Sequence, residues 1–148
     1  MDVALLRLLR TRGHWPPVER AARAYARAGE NGAAWLLIAA LLRERRAMRV
    51  VLAALIANTA VKEVVRRARP ALGPELPPLA STISPRSYPS AHAATSFAAA
   101  AALEPRLPSV PLYAAAGAMA LTRPYLGVHY PSDVVAGALL GRAVERLV

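Results

Sequence analysis

An all-α fold, arranged as an antiparallel transmembrane bundle of about five apolar helices preceded by N-terminal amphipathic helices, is what this sequence of 148 residues predicts. Alanine dominates the apolar runs, and the chain is 55% hydrophobic but only 5% aromatic, so strong helix formers abound while strand-favouring residues are sparse. The runs are bounded by arginine, proline or glycine. The polar residues able to do chemistry gather in three short clusters at the ends of those runs. The length suits one domain, residues 1–148.

Residues 1–28 read as an amphipathic interfacial region. Leu5, Leu6, Leu8 and Leu9 are interleaved with Arg7, Arg10 and Arg12, with no continuous apolar core or small-residue cleavage site of a signal peptide. After a break at Trp15-Pro16-Pro17, Val18 to Ala28 alternates apolar and arginine positions at helical spacing, and Gly29 and Gly32 punctuate it. Ala33 to Leu42 is apolar all round. A second apolar helix runs from about Met48 to Arg67, a third from His92 to about Leu103, a fourth from about Pro111 to Thr122 and a fifth from about Ser132 to Leu147. Residues 70–89, with prolines at 70, 74, 77, 78, 85 and 89, form a loop that joins two of the polar clusters, as a wall of the site or a plain connector.

None of these segments reaches the ~20 uninterrupted apolar residues of a standard spanning helix. The membrane reading rests on helices that are apolar on every side and on small residues such as Gly117, Gly137 and Gly141, which allow close helix approach. A soluble helical domain is the competing reading, but a chain this small has little interior in which to hide such helices.

The net charge is +10, and Lys62 is the only lysine beside eighteen arginines. Many arginines flank apolar runs, as at Arg43, Arg45, Arg46 and Arg49, a pattern that argues for a membrane surface and an anionic substrate, and against nucleic acid. Without cysteine there is neither a disulfide framework nor a thiolate metal site. No metal and no cofactor is expected. A homo-oligomer is left open, and His14 has no assigned role.

The clusters are Lys62 to Pro70 (K-x6-R-P), Pro89 to His92 (P-S-A-H) and Arg123 to Asp133 (R-x5-H-x3-D). Helix direction unites them. Lys62 and Arg69 lie where the second helix ends and His92 where the third begins; after the turn at Glu104 to Pro108, Arg123 lies where the fourth ends, and His129 and Asp133 where the fifth begins. All three therefore emerge at one end of an antiparallel bundle. Lys62 and Arg69, seven residues apart, share an azimuth if the helix continues between them. Lys62, Arg69 and Arg123 supply cationic donors for phosphoryl oxygens, and Ser90 and the amides from Ala91 onward offer an anion-binding helix N-terminus. Asp133, four residues beyond His129, can fix that imidazole's tautomer and leave its other nitrogen free to attack phosphorus. His92 is then free to protonate the leaving oxygen and later to activate water. Arg66, Arg67 and Arg86 read as interface arginines.

These motifs resemble those of the type 2 phosphatidic acid phosphatases, or lipid phosphate phosphatases, a family related to vanadium haloperoxidases. The match covers Lys62 to Asp133 in order, about half the chain. The resemblance implies phosphate binding by Lys62, Arg69, Ser90, Ala91 and Arg123, a phosphohistidine on His129 oriented by Asp133, and acid–base work by His92, without metal. Ala91 stands where the family commonly has glycine, and Thr122 where serine is common. The family usually has six spanning helices, and here the amphipathic N-terminus replaces or shortens the first. Within the family, the compact Ala- and Arg-rich make-up is similar to that of actinobacterial members acting on polyprenyl-linked substrates. Undecaprenyl diphosphate, phosphatidylglycerol phosphate and phosphatidic acid also fit.

The expected function is an integral-membrane phosphatase of lipid phosphates, with membrane lipids around it. Two rivals keep the pocket: a vanadate-dependent haloperoxidase-like enzyme, and a non-catalytic lipid-phosphate-binding membrane protein. Arginines at the end opposite the clusters place the site on the exoplasmic side by the positive-inside rule, whereas the Arg-rich N-terminus pulls the other way.

Overall fold

A computed structural model describes all 148 residues, and every regular element of the chain is a helix. The helices are α1 (Asp2–Thr11), α2 (Pro16–Ala28), α3 (Ala33–Leu41), α4 (Arg45–Val65), α5 (Ala91–Leu103), α6 (Ser109–Tyr125) and α7 (Pro131–Leu147), with a short 3-10 turn at Glu30–Gly32. The expected elements are all present. Pro16 and Pro17 open α2 instead of breaking the chain, as proline can where the first helical N–H groups need no partner.

α5 is the central rod. Ala93, Ala94, Ala98, Ala99 and Ala100 are fully buried, because α3, α4, α6 and α7 surround this helix. Its alanines let α7 come close. A Cβ on Gly137 would lie 2.4 Å from the Ser90 carbonyl oxygen, and one on Gly141 would lie 2.2 Å from that of Ala94, so only glycine fits this contact. Trp35 caps the packing of α3 on α5 with an Nε1–H bond to Ser96 Oγ at 2.8 Å, which satisfies a buried indole.

α1 is more than a surface element. Leu6 is fully buried, Arg10 donates to the carbonyls of Pro77 and Tyr125, and Asp2 reaches the start of α7 through Ser132. His14 stacks on Tyr125 with ring centroids 4.0 Å apart, and its Nε2 and Nδ1 bond Leu9 O and Glu19, so it staples α1 to α2.

No helix is long and apolar enough to cross a membrane. α4 has 21 residues, but its first two turns carry Arg45, Arg46 and Arg49 and its last turns carry Lys62 and Glu63. α5 is apolar but has 13 residues, about 20 Å at 1.5 Å each, and is enclosed by other helices.

α4 stops sooner than the spacing of its motif suggests. It ends at Val65, and Arg66 takes a left-handed conformation with φ 53°. Lys62 and Arg69 therefore share no helical azimuth, because the helix ends before Arg69. The chain instead turns back, and Ala68 pairs with Arg86 in an isolated antiparallel bridge that brings the 70–89 loop against the bundle end. The N–H of Leu79 donates to Leu126 O at 2.8 Å, and that of Ser87 to Arg67 O at 2.8 Å, which ties the loop at its middle and near its far end.

Candidate active site

The C-terminal ends of α4 and α6 meet the N-terminal ends of α5 and α7, and a cavity of about 270 Å3 opens between them and the loop. Lys62, Arg69, Ala91, His92, Arg123 and His129 line it together, with Asn58 on one side and residues 81–84 of the loop on the other. Thus the 70–89 loop forms a wall of the cavity.

Three cations converge there. Lys62, 8% exposed, has its Nζ 3.0 Å from the Arg86 carbonyl, which leaves two ammonium hydrogens unassigned. Arg69 is braced by the carbonyls of Ser84 and Val128, both at 2.7 Å. Arg123, 5% exposed, has no hydrogen-bond partner in the protein, and its buried Nε is unsatisfied. An interior guanidinium without partners is costly, so this one is placed for an anion from outside the chain.

His129, 2% exposed, lies in the turn between α6 and α7. Its Nε2 is 3.0 Å from Arg69 NH1, and a guanidinium only donates, so Nε2 holds a lone pair and Nδ1 carries the hydrogen. Nδ1 lies 3.4 Å from Asp133 Oδ2, an ion-pair separation longer than a formed hydrogen bond. Burial pushes this imidazole down to about 4; Asp133 pulls it up, while Arg69, Arg123 and Lys62 push it further down.

Asp133 is wholly buried behind His129 and does not line the cavity. Its Oδ2 accepts the Tyr130 N–H at 2.9 Å as part of the α7 cap, and its Oδ1 accepts from Arg67 NH1 at 2.8 Å. Arg67 is therefore no mere interface arginine. Its other nitrogen, NH2, reaches Asp2 Oδ2 at 2.8 Å, and its guanidinium stacks over Tyr130, 4.0 Å from the ring centre. Sequence reasoning missed Arg67 because its partners, Asp2 and Asp133, are remote in sequence. Arg86 likewise has a local role: it pairs with Glu63 and offers its carbonyl to Lys62.

His92 sits in the first turn of α5, where its Nε2 is 2.9 Å from the Ala26 carbonyl at the end of α2. That carbonyl only accepts, so Nε2–H is the donor and Nδ1 is left without a protein partner. Ser90 differs from expectation. Its side chain is fully buried and absent from the cavity lining; its Oγ accepts the Ala93 N–H at 3.4 Å, and its own N–H donates to Asp133 O at 2.9 Å. It caps α5 and ties it to α7, while Ala91, next to it, faces the cavity. Asn58, a polar residue of the second apolar helix to which the sequence assigned no role, holds this turn through Nδ2 to Pro89 O at 3.1 Å.

Known proteins show the same architecture. The chain is 41% identical to a decaprenylphosphoryl-5-phosphoribose phosphatase of Mycobacterium tuberculosis, over 90% of this chain and 80% of that one. It is 42% identical to the protein of that name from Mycolicibacterium smegmatis, over 82% of this chain and 72% of the relative. Among solved structures, Aquifex aeolicus LpxE superposes with a TM-score of 0.77 at 22% identity, covering 99% of this chain and 93% of that one. The PAP2-type phosphatidylglycerolphosphate phosphatase of Bacillus subtilis superposes at 0.67 and 21% identity, covering 99% and 83%. The family model for the PAP2 superfamily matches residues 46–148, which span all three clusters and the four helices that carry them, and the chain belongs to that superfamily.

Proposed function

We propose that the cavity binds the phosphate ester of a polyprenyl-linked lipid, the class named in the mycobacterial relatives, and that His129 attacks it. The chain is a lipid phosphate phosphatase of the PAP2 superfamily. The observation that carries the proposed site is Arg123: a buried guanidinium without a partner, facing the same cavity as Lys62, Arg69 and the lone pair of His129. Such a cavity is incomplete without an anion.

In the proposed reaction, Lys62, Arg69 and Arg123 take the phosphoryl oxygens and stabilise their charge. Arg69 shifts from His129 Nε2 to the incoming phosphate and so releases the lone pair. The Nε2–P bond forms as the bond from phosphorus to the leaving oxygen breaks, and His92, entering this step as the imidazolium with its Nε2–H held by the Ala26 carbonyl, gives that oxygen its Nδ1 proton. Asp133 steadies the cationic ring of His129. Water then attacks phosphorus, its proton passes to His92, the N–P bond breaks, and orthophosphate leaves. Ser90 and Ala91 act through the backbone turn at the α5 N-terminus. His129→Ala should abolish phosphate release from lipid substrates and trapping of labelled phosphate on the protein; activity that survives the change removes His129 as nucleophile.

We further propose that the bundle is embedded in a membrane. Leu37, Leu52, Ile56, Val110, Leu121, Val135 and Leu139 are exposed on α3, α4, α6 and α7, an apolar belt suited to lipid. Arg43, Arg45, Arg46, Arg49, Arg106, Arg142 and Arg146 at the end opposite the cavity support an exoplasmic cavity by the positive-inside rule, against the pull of the Arg-rich α1 and α2. Labelling of cysteines introduced at Glu75 and Arg106 in intact cells should mark only Glu75→Cys; the reverse pattern inverts the orientation.

A further inference from the structure

α1 fastens the turn that carries His129. Toward its C-terminal end the buried Arg10 guanidinium donates to Pro77 O and Tyr125 O, and its stem packs so closely on Gly127 that a Cβ there would lie 2.7 Å from Nε. At the other end Asp2 reaches α7. Its Oδ1 accepts the Ser132 N–H at 3.1 Å, a first-turn donor with no partner inside the helix, and its Oδ2 accepts from Ser132 Oγ and from Arg67 NH2. Residues 126–130 are thus held on both flanks by one helix. The family model begins at residue 46, so this helix stands outside the part of the chain that defines the superfamily.

Asp2 also completes a line of charge that ends on the reacting ring. Its Oδ2 is 2.8 Å from Arg67 NH2, Arg67 NH1 is 2.8 Å from Asp133 Oδ1, and Asp133 Oδ2 is 3.4 Å from His129 Nδ1. Two carboxylates and one guanidinium leave a single negative charge, which matches the positive charge that His129 takes on when its Nε2 bonds phosphorus. Without Asp2, Arg67 and Asp133 cancel, and the cationic ring faces a neutral pair. An exposed ion pair contributes little by itself, but this one passes its charge through a shared guanidinium to a carboxylate that is wholly buried, where solvent and salt screen least.

We propose that Asp2 is a positioning residue for the phosphoryl transfer: α1 delivers it to Arg67, and by sharing that guanidinium it leaves Asp133 free to steady the cationic ring of His129. This rests on the reading above of His129 as nucleophile. Asp2 does not line the cavity, so it acts on turnover and not on substrate binding. The charged and titratable groups that face His129 directly are Lys62 of α4, Arg69, His92 of α5, Arg123 of α6 and Asp133 of α7, and replacing Asp2 removes none of them. The direction of the pH response separates this role from plain fastening. A carboxylate that only fastened α1 would, once lost, let Arg67 drift from Asp133 and so make His129 easier to protonate. One that shares the guanidinium does the reverse, because Arg67 then pairs with Asp133 alone.

The test uses the full chain in detergent with a polyprenyl monophosphate as substrate. Asp2→Asn keeps the shape of the side chain and an acceptor for the Ser132 N–H but removes the charge. It should lower kcat about fivefold, the upper end of what a partly exposed ion pair contributes, with KM within about twofold of wild type. It should also move the acid limb of kcat/KM to lower pH, opposite to Arg67→Gln. Asp2→Glu, which restores the charge, should bring kcat back to within about twofold of wild type, and Asp2→Asn should cost less than about twofold in an Arg67→Gln background, where the shared guanidinium is already gone. A kcat unchanged by Asp2→Asn, an acid limb that stays put or rises, or an equal loss in the Arg67→Gln background overturns the proposal. If Asp2→Asn does not fold, Asp2→Glu decides: folded protein with wild-type kcat and an unmoved limb supports the proposal, and a loss of about tenfold overturns it. His129→Ala is assayed beside these variants. Phosphate release that survives in it refutes the nucleophile reading; with His129→Ala inactive, the Asp2 results bear on Asp2 alone.

Discussion

Replacing Gly137 by alanine adds one methyl group whose nearest neighbours carry no charge, yet it should disable the site. The new Cβ would lie 2.4 Å from the Ser90 carbonyl oxygen and 3.0 Å from the Ala93 Cβ, whereas ordinary contact starts at 3.4 Å. Backbone cannot swing aside like a long side chain, so α7 must retreat from α5 by about 1 Å, the difference between 3.4 and 2.4 Å. The Ser90 N–H bond to Asp133 O, now 2.9 Å, would stretch to about 3.9 Å, beyond hydrogen-bonding range. Asp133 and His129 move with α7, while His92 and Ala91 stay with α5. A displacement of that size in a reacting constellation costs on the order of 100-fold in rate. The stability change is smaller, because a gain of ~1 kcal/mol in helix propensity offsets part of the ~1–3 kcal/mol of overpacking. Gly117 on α6 is the control: nothing lies within 4 Å of a Cβ there, so Gly117→Ala should stabilise the fold and leave turnover alone. Phosphate-release kinetics and thermal unfolding of both variants decide the matter. A Gly137→Ala protein with kcat/KM within about twofold of wild type would refute the idea that the α5–α7 contact sets the site geometry.

The pH behaviour should reflect the buried His129. With its folded value at about 4, the acid limb of kcat/KM belongs near there instead of near the ordinary ~6.5, and Asp133→Asn should move it lower still, since Asp133 raises it. The unfolded chain binds the extra proton first, so stability should fall as pH drops from ~6.5 towards 4, by about 3 kcal/mol from this group, and less in His129→Gln. Urea titrations across that window check the sign. Arg67→Gln should lower kcat about 10-fold with little change in KM, because it strips Asp133 of its charged partner without touching the cavity. A less neutralised Asp133 should also shift the acid limb upward, and Arg67→Lys should restore part of both effects; a limb that stays put assigns Arg67 to stability alone.

Much of the fold was readable because it depends on local pattern and chain direction. The alanine-rich runs, the proline loop and the alternation of helix ends in an antiparallel bundle predicted which residues meet, and Lys62, Arg69, His92, Arg123 and His129 do line one cavity. Pairings between remote residues were not readable. Nothing in the sequence links Asp2 to Arg67 or Ala26 to His92, since side-chain reach and backbone carbonyls leave no periodic trace.

The sequence by itself determined the helical class, the end of the bundle at which the three polar clusters gather, and the residue types present there. Only the tertiary structure decided how they are used. It ended α4 before Arg69, turned the Ser90 hydroxyl to capping, set Arg67 behind Asp133, and left Arg123 without a hydrogen-bond partner in the cavity wall. Composition and spacing fix what can be offered to a phosphate; whether a donor is already satisfied depends on which backbone oxygens and carboxylates the fold brings within about 3 Å of it.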